Sequence, residues 1–307
     1  MTRAHADDAE TLAARFAARA TDLLAPVGVH YAEPPGSHPS TALTRVERRL
    51  RLADALARTA PPELFDGTPV RWAREPRSRE DVLAWWRAWR AGRRTERLLV
   101  YVHVPFCRTR CSFCQFHSLA SREEGERAAY VASLLEEAAA FESALGTLDA
   151  DAVTIGGGTP SELDETSLRR VLDALVGRVF RLPEDGYFSV ELNPDSCTAG
   201  KVRALVDAGV NRISLGVQSF HGPTLHAVAR GYQRAEMVEA AVRYVREASA
   251  DVELGLDLLA PLPEESLATF ERGAGRALAL APDQIVLFRY QPVRRGASTI
   301  DAGAMPF

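Results

Sequence analysis

From residue 98 onward the chain repeats one pattern, a short β-branched run followed by a longer stretch of helical periodicity. The runs are LLVYVHVP (98–105), DAVTIGG (151–157), YFSVELNP (187–194), RISLGVQS (212–219), VELGLDLLA (252–260) and QIVLFRYQP (284–292). ERAAYVASLLEEAAAFESAL and SLATFERGAGRALAL are two of the helical stretches between them. Six β units alternating with helices require a parallel sheet, curled or open. In such sheets chemistry collects at the carboxyl ends of the strands. Three cysteines follow the first run, and a glycine run ends the second. Glu191 and Asn193 end the third, Gln218 ends the fourth, and Asp257 and Tyr290 lie late in the fifth and sixth. Their coincidence argues for one site at one end of a barrel.

Residues 1–97 read differently. Leu12, Phe16, Leu23 and Leu24 form a helical stripe, YAEPPGSHPSTA reads as loop, and TRVERRLRLADALART reads as helix. SREDVLAWWRAWRAG is a further helix, with Ser78 as N-cap and Gly92 as stop. Trp85, Trp86 and Trp89 cluster on one side of it, to pack this segment onto the main domain. The expected division is a mostly helical extension (1–97), a barrel (98–300) and a short tail (301–307). At 307 residues, 46% of them hydrophobic, the chain can fill a large core. A net charge of −4 provides no global basic field for nucleic acid. No run of about 18 apolar residues suggests a membrane span. The acidic N-terminus lacks the apolar region of a secretory signal, so the expected compartment is the cytoplasm. Clustered cysteines there more often bind metal than form disulfides.

The segment YVHVPFCRTRCSFCQFHS (101–118) holds Cys107, Cys111 and Cys114, spaced C-x3-C-x2-C, while Cys197 lies far downstream. Thiolates suit zinc or an iron–sulfur cluster. Structural zinc wants four closed ligands, and His103 or His117 could complete a Cys3His set. A cubane held by three thiolates leaves one iron open to a substrate or cofactor. Gly156, Gly157, Gly158 and Thr159 end the second strand. Glycines let a ligand approach the backbone, and they also suit a tight βα turn. No Walker lysine follows, and Ser161 breaks the G-x-G-x-x-G pattern.

The cysteine spacing on a loop after the first strand resembles the radical S-adenosylmethionine (SAM) superfamily. DAVTIGGGTPSEL, FSVELNPDS, VNRISLGVQSF and GLDLLAPLPEES resemble further segments of that family. Together they are similar to the branch containing oxygen-independent coproporphyrinogen III oxidase, a related haem chaperone and the class C radical SAM methyltransferases. The resemblance covers about residues 98–292, and weakly the loop YAEPPGSHPSTA.

It implies an incomplete (β/α)6 TIM-like barrel with an N-terminal helical extension. It implies a 4Fe–4S cluster on Cys107, Cys111 and Cys114, whose open iron chelates SAM. Reductive cleavage would then give a 5′-deoxyadenosyl radical, with an electron from a donor such as flavodoxin or ferredoxin. Tyr101, Phe113, Gly157, Gly158, Thr159 and Glu191 would contact cofactor. A second SAM would be held by Thr159, Gln218, Arg230, Asp257 and Gln291, with Phe113. On this reading Gly157→Val crowds the cofactor without unfolding the chain. Two positions depart from the pattern: Phe116 stands where the oxidase has a further cysteine, and Ala260-Pro261 where a glycine is favoured second. Relatives usually continue into a C-terminal substrate-capping domain, here expected to be absent or truncated. The favoured activity is C-methylation of an sp2 carbon in a small (hetero)aromatic metabolite. The alternatives are porphyrin oxidation and haem handling.

Overall fold

The computed structural model describes residues 78–92, 98–121, 123–184 and 186–290. The expected stripe at Leu12–Leu24, the proline-rich loop, the helix at 44–59, Gln291 and the tail lie outside them. Six strands form one sheet: β1 (Leu99–Val104), β3 (Ala152–Gly157), β5 (Tyr187–Leu192), β6 (Arg212–Gln218), β7 (Glu253–Ala260) and β8 (Gln284–Arg289). They pair in that order, every pair parallel. No ladder joins β1 to β8, so the barrel stays open between its first and last strands. Each expected strand is present, trimmed by one to three residues at an end.

The intervening helices are α2 (Glu124–Leu145), α3 (Glu165–Leu175), α4 (Ala199–Asp207), α5 (Gly222–Ala227), α6 (Ala235–Ala248) and α7 (Leu267–Ala279). Leu168, Val171, Leu172 and Leu175 repeat at helical spacing along the buried stripe of α3, as Val238, Ala241, Val242 and Val245 do on α6. Side-chain oxygens start three of these helices: Asp164 accepts from Ser167 N (2.9 Å), Thr198 from Lys201 N (3.4 Å) and Ser266 from Thr269 N (3.2 Å).

The strands alternate. Val102, Val104, Val153, Ile155, Val190 and Leu254 are buried in one core cluster with the helix stripes. The positions between them are polar: Tyr101, Thr154, Ser189, Arg212, Ser214, Glu253 and Asp257. A parallel sheet covered on both faces reads as continuous apolar runs. Here period two survives because the inner face of the open barrel is polar. In its floor Arg212 pairs with Glu253 and also donates to Gln284.

Two features escaped the sequence. β2 (Leu148–Asp149) and β4 (Phe180–Arg181) form a separate parallel ladder, too short to show a period. The 3-10 turn Pro160–Glu162 follows the glycine run. The tryptophan helix is α1 (Arg79–Gly92). Ser78 Oγ accepts from Asp81 N (3.1 Å) while Asp81 Oδ2 accepts from Ser78 N (3.1 Å), a reciprocal cap. Trp86 meets Phe141 of α2 edge-on at 5.5 Å, but Trp85 is 61% exposed, so α1 packs along one edge only. No helix among the described residues is long and apolar enough to cross a membrane.

The Arg212–Glu253 pair gives a stability prediction. Glu253→Ala leaves a buried guanidinium without its counter-charge, which should cost about 3 kcal/mol in urea unfolding. A cost below about 1 kcal/mol would mean that Asp257 serves as the counter-charge instead.

Candidate active site

The cysteine loop is a closed excursion from β1. Cys107 N donates to Leu119 O (3.0 Å), and Leu119 N to Pro105 O (2.8 Å), tying the two ends together. Between them the loop rests on the connection from β6 to α6. Ser112 N donates to Val228 O (3.4 Å) and Thr109 Oγ1 to Ala229 O (2.8 Å). Phe113 packs with Val228, Leu259, Leu262 and Tyr290, whose ring lies 6.4 Å away edge-on. Its packing role is therefore visible. The Ala260–Pro261 peptide beside this cluster is cis.

The glycine run has a structural reason at two positions. A Cβ on Gly158 would lie 2.6 Å from Pro105 O, so only glycine lets β3 end this close to the start of the cysteine loop. Gly157 has φ +109°, and a Cβ there would enter the His103 ring. The expectation that Gly157→Val only crowds the cofactor is corrected here: the change strains the backbone and displaces His103.

A chain of hydrogen bonds runs beneath the thiols. Asn193 Nδ2 donates to Thr159 Oγ1 (2.9 Å), leaving the Thr159 hydroxyl free to donate to Cys107 Sγ (3.6 Å). Asn193 Oδ1 accepts from Arg230 (3.1 Å), and Arg230 also donates to Cys111 Sγ (3.7 Å). The guanidinium is 3% exposed and further held by Gly216 O (2.7 Å) and Gln233 Oε1 (2.8 Å). Its Nε is buried with no partner in the structure. Burial pushes the Cys107 and Cys114 thiols up, and hydrogen bonds from Thr159 and from the Phe116 backbone oppose this.

Below lies the polar lumen. Glu191 reaches water at the open mouth, yet burial raises its carboxyl, and the Asp257 carboxylate raises it further. Burial also raises Asp257, opposed by the Ser214 hydroxyl donated to it (2.8 Å) and by Arg212. Tyr101 is raised by burial and then by Glu191. Gln218 has φ +66° at a break in the β6–β7 register, which re-aims its side chain at the strand end.

The structure thus gathers Cys107, Cys111, Cys114, Thr159 and Arg230 into one bonded group, with Gly158 and Phe113 packed around it. Tyr101, Glu191 and Asp257 share the lumen, and Gln218 sits at its rim. Asn193 links the first group and was singled out in sequence only by its place at a strand end. His103 lies two residues from Tyr101, on the same face of β1. Its Nε2 donates to His117 O (2.9 Å), so its Nδ1 accepts from the Tyr101 hydroxyl (3.2 Å). With both nitrogens engaged, His103 is not free to complete a zinc site. Cys197 is buried in the core beyond β5, its thiol pushed up to about 12 by burial.

The donor set suits an iron–sulfur cluster: three thiolates on one loop, two of them receiving hydrogen bonds from Thr159 and Arg230. Among the described residues no three His, Cys, Asp or Glu side chains converge as one metal ion requires. In a cubane each thiolate binds a different iron, so the sulfurs stand apart. The buried, unpartnered Arg230 Nε offers a donor to an anionic group beside Cys111. A separate surface groove of about 780 Å³, lined by Phe220, His226, Arg234 and Glu264 among others, contains none of the cysteines or lumen carboxylates.

Residues 101–274 match the radical SAM superfamily, which uses a 4Fe–4S cluster and SAM. The oxygen-independent coproporphyrinogen III oxidase of Bradyrhizobium diazoefficiens is 34% identical over 211 residues, 67% of this chain and 46% of that protein. The heme chaperone HemW of Bacillus subtilis is 34% identical over 183 residues, 59% of this chain and 47% of that protein. Among solved structures, coproporphyrinogen III oxidase (HemN) from Escherichia coli, a radical SAM enzyme, superposes with a TM-score of 0.60 at 27% identity. That match covers 70% of this chain and 48% of the other. The chain spans about half the length of the relatives it matches. It belongs to the radical SAM superfamily, with strong similarity to the coproporphyrinogen III oxidase-like proteins.

Proposed function

We propose that the chain cleaves SAM reductively at a 4Fe–4S cluster held by Cys107, Cys111 and Cys114. The supporting observation is the hydrogen-bond chain from Cys107 through Thr159, Asn193 and Arg230 to Cys111. When bound, the cluster and SAM supply one electron and, from the cleaved sulfonium, a 5′-deoxyadenosyl radical that takes a hydrogen atom from substrate. Thr159 and Arg230 direct hydrogen bonds at two ligand sulfurs and stabilise their negative charge. Arg230 Nε would receive a carboxylate, and Glu191 and Asp257 would accept from ribose or amino groups. Arg230 is buried away from bulk water, while Glu191 meets it at the mouth.

The relatives and the rim support a reading of the substrate class. Tyr101 and Phe288 lie on the two unjoined edge strands, and the register puts both on the lumen side. They are 55% and 51% exposed, two aromatic faces flanking the open side. Such faces suit a planar conjugated substrate. The curated relatives point to a tetrapyrrole, oxidised or handled. A second reading, C-methylation of an sp2 carbon of a small (hetero)aromatic metabolite, rests on two observations. Phe116 replaces the cysteine the resemblance implies for the oxidase, and Arg230, Gln218 and Asp257 together suit a second SAM.

Anaerobic reconstitution should give about four iron and four sulfide per chain. Cys107→Ala, Cys111→Ala or Cys114→Ala should each abolish the brown chromophore, while Cys197→Ala keeps it. Stoichiometric zinc without iron would reject the proposal.

Thr159→Val should leave the chromophore and slow SAM cleavage under dithionite by about 10-fold or more, through loss of a ligand-directed donor. Cleavage at the wild-type rate would show that this bond is only structural.

Methyl-deuterated SAM separates the two substrate readings. Deuterium in the product, with both 5′-deoxyadenosine and S-adenosylhomocysteine formed, supports methylation; there Asp257→Ala should depress the second by-product more. Carbon dioxide release without deuterium transfer supports porphyrin oxidation, and stoichiometric haem binding without SAM cleavage supports haem handling.

A further inference from the structure

We infer that Lys201 is a positioning residue for the cysteine site: its ammonium clamps the turn after β3 to the turn after β5, and so holds Thr159 against Cys107 and Asn193 against Arg230. The inference rests on the proposed 4Fe–4S reading. Lys201 is the one lysine of the chain. It stands in the first turn of α4, where a cation opposes the helix dipole and is disfavoured. Its partners offset this. Nζ donates to Ser161 O (2.6 Å) in the turn after β3 and to Ser196 O (3.1 Å) in the turn after β5. The two serines also meet through their hydroxyls (2.7 Å). Ser161 is fully buried, so without Lys201 its carbonyl loses a donor that water cannot replace.

Each turn carries one member of the hydrogen-bond chain beneath the thiols. Glu162 N closes the first turn on Thr159 O (2.9 Å). In the second, Ser196 N (3.3 Å) and Cys197 N (3.1 Å) both donate to Asn193 O. The β3–β5 ladder ends at Ile155 and Val190, short of both Thr159 and Asn193. The strands alone therefore do not fix the Asn193–Thr159 bond, and the clamp behind it does.

The ammonium also acts through its charge. Burial pushes it down from its ordinary value, and Glu162 is foremost among the carboxylates opposing this. Glu162 is itself raised by burial and by Asp195, against Arg127, Lys201 and Arg108. Three cations thus face two carboxylates in a group whose Glu162 reaches the Cys107 thiol. Net positive charge there favours an added electron on a cluster held by that thiol.

The first test needs no cluster. Formaldehyde with a borohydride marks Lys201 alone, apart from the N-terminal amine. Methylation of Lys201 in the full chain, read by peptide mass spectrometry, should run about 10-fold slower or more than in the same chain in urea, because a clamped ammonium reacts only on local opening. Equal rates, in a chain that still assembles its cluster and cleaves SAM, would overturn the clamp alone.

The second test uses the reconstituted full chain. Lys201→Met should keep the chromophore, shift the cluster's midpoint potential downward in a dye-mediated titration, and slow SAM cleavage under dithionite about 10-fold, as Thr159→Val does. Because Lys201 acts through Thr159, its loss should add no slowing in the Thr159→Val background. Lys201→Arg keeps the charge and the donors and should restore most of the rate. Where Lys201→Met does not fold, Lys201→Gln, which can still donate to one turn, carries the same readings. An unshifted potential with wild-type cleavage would overturn the positioning role. So would a double variant about 100-fold slower, the product of two independent losses. A wild-type chain that assembles no cluster would overturn the functional reading and this role with it.

Discussion

Arg230 is the constraint on which the upper half of the structure depends. A guanidinium 3% exposed must be met by acceptors on nearly every side, because an unpaired buried charge costs several kcal/mol, on the order of 3–5. Its acceptors come from four places: the end of β5 (Asn193), the strained end of β6 (Gly216), the start of the next helical segment (Gln233) and the cysteine loop (Cys111). Satisfying one side chain therefore sets the relative position of all four. Gln233 extends the tie by donating to Val217 O (2.6 Å). The Nε left over is the one donor that this packing does not use.

The same economy explains the lumen. The inner face of an open barrel must be polar where water and ligands enter, but its floor is closed to water. Arg212 resolves this by pairing with Glu253 and Gln284 at the bottom and biasing Asp257 above. Higher up, burial and then the Asp257 carboxylate raise Glu191, so the mouth resists holding a full negative charge on Glu191 without a cation or donor beside it. A sulfonium or an amino group is such a partner. The lumen thus passes from self-satisfied charge at the floor, through Asp257 held by Ser214, to the exposed Glu191 carboxylate at the mouth.

Glycines and aromatic rings then place the thiols over that mouth. Gly158 allows β3 to touch the carbonyls of Pro105 and Phe106, and Phe113 plugs the loop into a small apolar cluster separate from the main core. The loop is held at its ends and at one face, leaving its outer face, with Arg110 and Phe116, to solvent.

Much of this was legible in the amino-acid sequence. The alternation of β runs and helices determined the parallel sheet, because the two periods are local and repeated six times. The C-x3-C-x2-C spacing determined which thiols share a loop, and the strand-end positions of Glu191, Gln218 and Asp257 placed them at one end. The Ser78 cap was readable because it depends on neighbours three residues away. β2 and β4 were not, since two residues carry no period. Nor was the reason for Gly157, which lies in a positive φ and in the His103 ring across the β1–β3 ladder. The bond from Asn193 to Thr159 and on to Cys107, and the burial of Arg230 against Cys111, join residues 34 to 119 positions apart. Sequence determined the elements because propensity and period act over a few residues. Only the tertiary structure decided which polar groups meet, because a buried donor takes the acceptor that packing brings within about 3 Å, wherever that acceptor lies in the chain.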